Sequence, residues 1–387
     1  MKKINVLKPK FRTKEILEQI EECLENGWTG MGFKTTEFEE AWKEYTKLPN
    51  AHFLNSATSG LHLALNLFKS KYNWKDGDEI ITTPLTFVST NHAIMYENLK
   101  PVFADVDEYM CLDPKSIEKN ITEKTKALIY VGVGGNCGNL DNIKNICEIH
   151  GLKLILDGAH MAGTFIKKGY HGVAYHPEHV GHHADVSIFS FQAVKNLATA
   201  DSGMICFKEN EDDTKVRKLS WLGIDKDTYS RSNQGSYKWK YDVKDVGFKY
   251  HGNSIMAAMG LVQLKYLEQD NDKRREIASY YKEKLKEIKG ISIVDDNSFI
   301  ERSSRHLFQI LVNPNQRDNI INNFYENNIF PGVHYIDNTN YEMYSYAKGT
   351  CPKSHLYSNS LITLPIHLDI TQSDIDIVCT VLKNSLT

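Results

Sequence analysis

The chain reads as an α/β protein: a large unit built on a mostly parallel sheet covered by helices, followed by a smaller α/β unit. Three observations predict this. Strand and helix patterns alternate from Ala51 to Phe207, which demands crossover connections between parallel strands. An amphipathic stretch from Ser254 to about Ile288 is too long for one compact domain and is expected to bridge two. Beyond about Gly290 shorter strands and helices alternate again. The expected division is therefore a large unit over 1–252 and a smaller one over 253–387, joined through a long helix.

Each element has a local reason. Leu17, Ile20, Cys23 and Leu24 share a helical face, and Gly27 can stop that helix. Thr36 followed by Glu39 looks like a capping box opening a second helix through Tyr45. Ala51 to Asn55 reads as a strand, and Leu61, Ala64, Leu65 and Phe68 as a helical stripe. Glu79 to Thr83 is a predicted strand, with a helix after Ser89. Pro101–Ala104 and Ala127–Val131 are strands, with a short helix after Asp113 between them. A helix over Asn142–His150 stops at Gly151, before a strand at Lys153–Leu156. Asp185–Phe191 and Gly203–Phe207 complete the first set. The second set has strands at Arg305–Leu311 and Leu361–Pro365 and helices at Ile320–Asn328 and Ser373–Lys383.

Composition narrows the function classes. The 387 residues are 41% hydrophobic and 25% charged, with a net charge of -3, so a polyanionic partner such as nucleic acid is not indicated. Seven scattered cysteines, with no CxxC pair, fit reduced thiols in a cytoplasm rather than a disulfide framework. The start carries charge without the apolar run of a signal peptide, and no run is long enough to span a membrane. A soluble cytoplasmic enzyme acting on small molecules is the expectation.

Ligands of parallel sheets sit beyond the carboxyl ends of the strands. Asn55-Ser56, Thr83-Pro84 and Asp157 all fall there. In Asn55-Ser-Ala-Thr-Ser-Gly60, between a strand and a helix, small residues let backbone N–H groups of Ala57 and its neighbours approach a phosphate, with Ser56 and Thr58 adding hydroxyls. An ordinary helix cap accounts for the same residues. Lys195 follows the strand Asp185–Phe191 and sits among Phe191, Val194 and Leu197. Such a setting lowers an amine's pKa and makes it a nucleophile and a base. With Asp157 it suits pyridoxal 5'-phosphate (PLP): the lysine holds the aldehyde as an imine, and the acid keeps the ring nitrogen protonated. His160 is placed to bond the ring hydroxyl, or is a satisfied core histidine. Phe87 is placed to stack on a flat ring, or is a core aromatic. Ser190 lies within reach of a cofactor phosphate.

The same segments carry a family resemblance. Gly27-Trp-Thr-Gly-Met-Gly, the phosphate turn at Asn55, the run Gly77-Asp-Glu-Ile-Ile-Thr-Thr-Pro-Leu-Thr-Phe-Val-Ser-Thr, Asp157-Gly-Ala-His and Phe189-Ser-Phe-Gln-Ala-Val-Lys-Asn resemble, in order, motifs of the DegT/DnrJ/EryC1/StrS aminotransferases. The resemblance implies fold type I, PLP as cofactor, glutamate as amino donor and a keto-sugar, mostly nucleotide-linked, as acceptor for polysaccharide or glycan synthesis. It also implies a homodimer with the site at the interface, and substrate contacts near His334-Tyr335. Where the family often has Asn-Tyr-Arg, this chain has Lys249-Tyr250-His251. Lys249 is then expected to reach the neighbouring subunit's cofactor phosphate, and Tyr250 the substrate.

Three alternatives remain open. The altered Lys249/His251 stretch admits a small phosphorylated ketone as acceptor. A PLP-dependent sugar dehydratase branch carries histidine where this chain has Lys195, and the lysine opposes it. A non-catalytic member of the fold is opposed by the presence of both Lys195 and Asp157. The stretch Tyr170–His183 holds five histidines and reads as a polar surface loop rather than a metal site, because no acid or cysteine arrangement completes a ligand set. Tyr229–Tyr241, rich in Tyr, Trp and Lys, is either a substrate contact or a solvent loop.

Overall fold

A computed structural model describes residues 2–168, 176–225 and 241–386. A short strand β1 (Ile4–Asn5) precedes two helices, α1 (Thr13–Glu25) and α2 (Phe33–Thr46). The chain continues through β2 (His52–Leu54), α3 (Ala57–Lys71), β3 (Glu79–Thr82), α4 (Ser89–Tyr96) and β4 (Lys100–Phe103). Next come α5 (Pro114–Asn120), β5 (Thr125–Val131), α6 (Leu140–His150) and β6 (Lys153–Asp157). Then follow β7 (Phe165–Lys168), β8 (His176–His179), β9 (Val186–Ser190), β10 (Gly203–Phe207) and α7 (Asn210–Ser220). The long helix α8 (Ser254–Leu285) leads to β11 (Ile291–Ile293), β12 (Ile300–Arg302), β13 (Phe308–Val312) and α9 (Pro314–Glu326). The last elements are β14 (Ile329–Phe330), α10 (Pro352–Ser360), β15 (Leu361–Leu364) and α11 (Gln372–Ser385).

The main sheet has seven strands in the order β2-β10-β9-β6-β5-β3-β4. Within it β10 runs antiparallel to both neighbours, and the other pairs are parallel. Helices cover both faces, which is why the inner strands are apolar along their length rather than alternating. On β6, Leu154 and Leu156 enter one core with Phe38 and Trp42, while Ile155 enters the other with Leu61 and Phe68. The carboxyl ends of β2, β3, β6 and β9 and the amino end of β10 therefore line one edge.

Two of the predicted helix faces are corrected. In α1 the buried residues are Ile16 and Cys23, while Leu17 and Leu24 are exposed. Helix α2 begins at Phe33, because the Thr35 hydroxyl accepts from the Gly32 N–H at 3.1 Å and closes the cap there. Glu39 is thereby turned inward. It accepts from Arg217 at 2.7 Å and from the Phe53 N–H at 2.8 Å, and lies 2.9 Å from His52 Nδ1. Burial alone would raise the Glu39 carboxyl, but Arg217, His52 and the Phe53 amide together hold it below the ordinary range.

The smaller part has a three-stranded antiparallel sheet, β11-β13-β15, backed by α9, α11 and the end of α8 around Tyr281, Phe308 and Phe324. Two features were not legible in the pattern. Strand β1 pairs in parallel with β14, and Ile4 belongs to the carboxy-terminal core. Strands β12, β7 and β8 form a further antiparallel sheet, so residues from either side of α8 pair directly. We propose a division near 252/253, with the first residues of the chain assigned to the carboxy-terminal unit.

From His176 on, the described part of the histidine-rich stretch is strand β8 followed by a 3-10 turn over Val180–His183, rather than a surface loop. His179 is buried against Trp42, Tyr45, Phe165 and Phe189, and His182 Nε2 lies 3.1 Å from the Thr46 carbonyl. His183 sits between Asp141 and Glu178. His171 lies outside the described residues, and among the described ones no group of three or more His, Cys, Asp or Glu side chains is arranged to hold a metal ion.

Replacing Glu39 by alanine leaves buried His52 and the Phe53 N–H without their acceptor, while Arg217, 39% exposed, keeps Asp213. The expected loss is about 1–3 kcal/mol of unfolding free energy, seen as a lower urea midpoint by circular dichroism. The carboxyl is depressed in the fold, so its contribution is present at neutral pH and is lost as pH falls through its folded value. An unshifted midpoint at pH 7 would show that the pair carries no net stability.

Candidate active site

A pocket of about 450 Å³ opens at the carboxyl edge of the main sheet. Its wall includes Ser56, Ala57, Thr58, Phe87, Asp157, His160, Ser190, Lys195, His334 and Tyr335. Five connecting segments thus bring ten of the twelve residues singled out from the sequence into one cavity. Their positions follow from the strands. Ser56 caps α3 after β2, and its Oγ accepts from the Ser59 N–H at 3.1 Å. Ala57 and Thr58 open that helix, where the first-turn N–H groups have no carbonyl partner within the helix. Gly203 faces them across the edge: a Cβ there would lie 2.6 Å from the Ala57 nitrogen. Only glycine permits β10 to start so close to the turn.

Asp157 ends β6 and is buried. Its Oδ2 accepts from the Thr90 hydroxyl at 2.7 Å and its Oδ1 from the Ala159 N–H at 3.2 Å. Burial nevertheless raises the carboxyl above its ordinary value, against these two donors and the Lys195 charge. Lys195 stands on a turn after β9, held by its N–H to the Gln192 carbonyl at 2.8 Å. Burial pulls its amine down to about 8, opposed by the Asp157 charge. An acid pushed up and an amine pulled down in one cavity is the pattern of a reactive site.

Phe87 is 59% exposed although it lines the pocket, which excludes the reading of a core phenylalanine. Its ring lies 6.2 Å from that of Tyr335. Ser190 is buried at the end of β9, and its Oγ accepts from the Gln192 N–H at 3.4 Å. His160 accepts at Nδ1 from the Gly134 N–H, 3.1 Å away, and its Nε2 is 2.9 Å from the Tyr335 hydroxyl. A bond from His160 to a cofactor hydroxyl would therefore compete with Tyr335. His334 Nδ1 is 3.0 Å from the Thr363 hydroxyl, and burial pulls its imidazole down to about 4.

The other two residues lie elsewhere. Lys249 is outside this pocket, with its ammonium 3.4 Å from the centre of the Trp221 ring, and burial lowers its pKa. Tyr250 stacks on Phe248, lies 3.1 Å from His62 Nδ1 and lines an adjoining depression that shares Ser56 and Thr58 with the pocket. Residues 226–240 of the aromatic stretch Tyr229–Tyr241 lie outside the described residues.

The sequence reading missed Thr90, Asn196 and His306. Thr90 sits one turn after Phe87 on α4, and only the register of that helix brings it to Asp157. His306 lines the pocket, with its Nδ1 2.8 Å from Asn196 Oδ1. The position of Asn196, next to Lys195, was the available signal.

The comparisons agree with this geometry. The family model described as the DegT/DnrJ/EryC1/StrS aminotransferase family matches residues 11–383. The spore coat polysaccharide biosynthesis protein SpsC of Bacillus subtilis is 34% identical over 376 residues, covering 94% of this chain and 92% of that protein. PseC of Helicobacter pylori, an aminotransferase involved in the biosynthesis of pseudoaminic acid, superposes with a TM-score of 0.88 at 27% identity, covering 99% of each chain. A Streptococcus pneumoniae protein, Spr1654, described as a sugar aminotransferase, was solved in a PLP form, with TM-score 0.88, 27% identity and 100% of each chain covered. Its PMP form gives a TM-score of 0.89 at 28% identity, covering 99% of this chain and 98% of that one. Fold and pocket define a PLP-dependent aminotransferase of fold type I. The chain belongs to the DegT/DnrJ/EryC1/StrS aminotransferase family, whose members include sugar aminotransferases.

The residues present fit the cofactor. An exposed aromatic face, a buried carboxylate lacking a full counter-charge, a buried amine and a first helical turn cleared by Gly203 stand around one cavity. Only the neutral Lys195 amine attacks an aldehyde, so uptake of PLP by apoenzyme is expected to quicken with rising pH and level off above about 8. Stopped-flow absorbance measures this. A rise centred near the ordinary lysine value, about 10.4, would contradict the buried setting.

Proposed function

We propose that this enzyme moves an amino group from glutamate to a keto-sugar, carried on a nucleotide, for surface polysaccharide or glycan synthesis. The observation that carries the reading is Lys195 and Asp157 lining one pocket in a chain 34% identical to SpsC and 27% identical to PseC. When bound, PLP supplies an electron-withdrawing ring that makes the substrate C–H acidic.

The protein's own groups do the rest. Lys195 would hold the cofactor covalently and, once freed, would move a proton at the donor's α-carbon as a neutral base. The pull of burial toward about 8 makes that base available near neutral pH. Asp157 would partner the ring nitrogen, whose positive charge would offset the burial that raises the carboxyl. The hydroxyls of Thr90 and the amide of Ala159 hold the carboxylate in place. Phe87 offers its exposed face for stacking. The N–H groups of Ala57 and Thr58, with the hydroxyls of Ser56, Thr58 and Ser190, hold the phosphate. His334 and Tyr335 sit on the acceptor's side.

The reading includes a homodimer in which Lys249 serves the neighbouring subunit's site. Its place outside its own pocket supports this, and Tyr250 at the adjoining depression is assigned to the same boundary. All seven cysteines are buried and free, which supports a cytoplasmic setting. Among the described residues no helix is long and apolar enough to cross a membrane.

Purified enzyme loaded with PLP is expected to lose its cofactor absorbance band on adding glutamate and to regain it on adding a nucleotide-linked keto-sugar. Recovery with a small phosphorylated ketone alone would overturn the acceptor. Lys195→Ala is expected to abolish borohydride trapping of the cofactor and to cut turnover by at least about a thousandfold, as for loss of a nucleophile acting in concert with its neighbours. Full turnover in that variant would overturn the scheme.

A further inference from the structure

Three rings stack in the pocket wall: His306 on His160 with centroids 4.5 Å apart, and His160 on Tyr335 at 5.9 Å and 20°. The direction of every hydrogen bond among them is fixed by the backbone. The Gly134 N–H has only a proton to give, so His160 Nδ1, 3.1 Å away, is the acceptor. The His160 imidazole is neutral, since burial pulls it well below its ordinary value, and its single proton is therefore on Nε2. Nε2 lies 2.9 Å from the Tyr335 hydroxyl, which must accept from it. The hydroxyl's own proton then points elsewhere.

His306 cannot take that role. Asn196 Nδ2 donates to the Ser304 carbonyl at 2.6 Å and to Asn271 Oδ1 at 2.7 Å, and Asn271 Nδ2 donates to the Ala162 carbonyl at 3.0 Å. Asn196 Oδ1 is thus an acceptor, and His306 Nδ1, 2.8 Å from it, must donate. Burial keeps His306 neutral too, so its other ring nitrogen offers only a lone pair. Gly134 meets both residues: its carbonyl also accepts from the His306 main-chain N–H at 3.0 Å, and its φ of +67° is one that favours glycine.

We propose that Tyr335 is the one hydrogen-bond donor of this stack to a ligand oxygen in the pocket, with His160 the positioning residue that commits it to donate. The inference rests on the reading of the pocket as the cofactor and acceptor site. The oxygen it serves is one that only accepts: the cofactor's ring oxygen or the carbonyl oxygen of the keto substrate. A tyrosine free to donate or accept would serve both partners loosely. A tyrosine already accepting from His160 favours the unprotonated oxygen.

The test uses PLP-loaded full-length enzyme and the variants Tyr335→Phe, His160→Ala and His160→Gln. If the cofactor's ring oxygen is the partner, Tyr335→Phe raises the pH midpoint of the cofactor absorbance change by about one unit, the worth of one hydrogen bond. If the substrate carbonyl is the partner, that midpoint stays and kcat/KM for the keto substrate falls about tenfold or more with KM for glutamate unchanged. In either case His160→Ala shifts the same readout, the double variant adds little to it, and His160→Gln, which keeps an N–H donor, recovers part of it. Unchanged midpoint and unchanged acceptor kinetics in Tyr335→Phe would overturn the proposal. The wild-type enzyme's own glutamate response reports separately on the reading of the pocket.

Discussion

Burying an acid and an amine in one crevice is the constraint on which the rest of this molecule depends. Asp157 is raised and Lys195 is lowered because neither receives a full counter-charge from the protein. Such a site is stable only if the surrounding structure over-determines it. Here a seven-stranded sheet with helices on both faces does so, delivering Ser56, Asp157, Ser190 and Lys195 from strand ends that cannot move independently. In the proposed reading, the cost of burying an acid and an amine short of partners would favour a cationic, aldehyde-bearing ring at this place.

Much of this was legible in the residues. The alternation of strands and helices over Ala51–Phe207 is a strong periodic signal, and the main sheet follows it closely. The small-residue turn at Asn55–Gly60 and the acid at the end of an apolar strand are local patterns, and the pocket brings them together. What escaped depended on contacts distant in sequence. The inward turn of Glu39 is set by Arg217 and His52, which no local pattern shows. Thr90 reaches Asp157 only through the pitch of α4 after Phe87. Strand β8 lies in a stretch that reads as a polar surface loop, because its histidines look polar until Trp42, Phe165 and Phe189 surround His179.

The division between chemistry and recognition follows the architecture. Groups proposed for the cofactor lie mostly at the sheet edge, while His306, His334 and Tyr335 come from the segments after α8. A family can keep the first set and vary the second to change acceptors. His251, which precedes α8, packs its ring against Trp221 rather than in the pocket.

The pairing of β1 with β14 has a consequence for how the molecule is assembled in time. Ile4 and Asn5 pair with Ile329 and Phe330, so β1 has no strand partner until that much later segment has been made. Leu7, just beyond that strand, is part of the pocket wall. This part of the chamber's lining is therefore in place only once two strands far apart in the sequence have met.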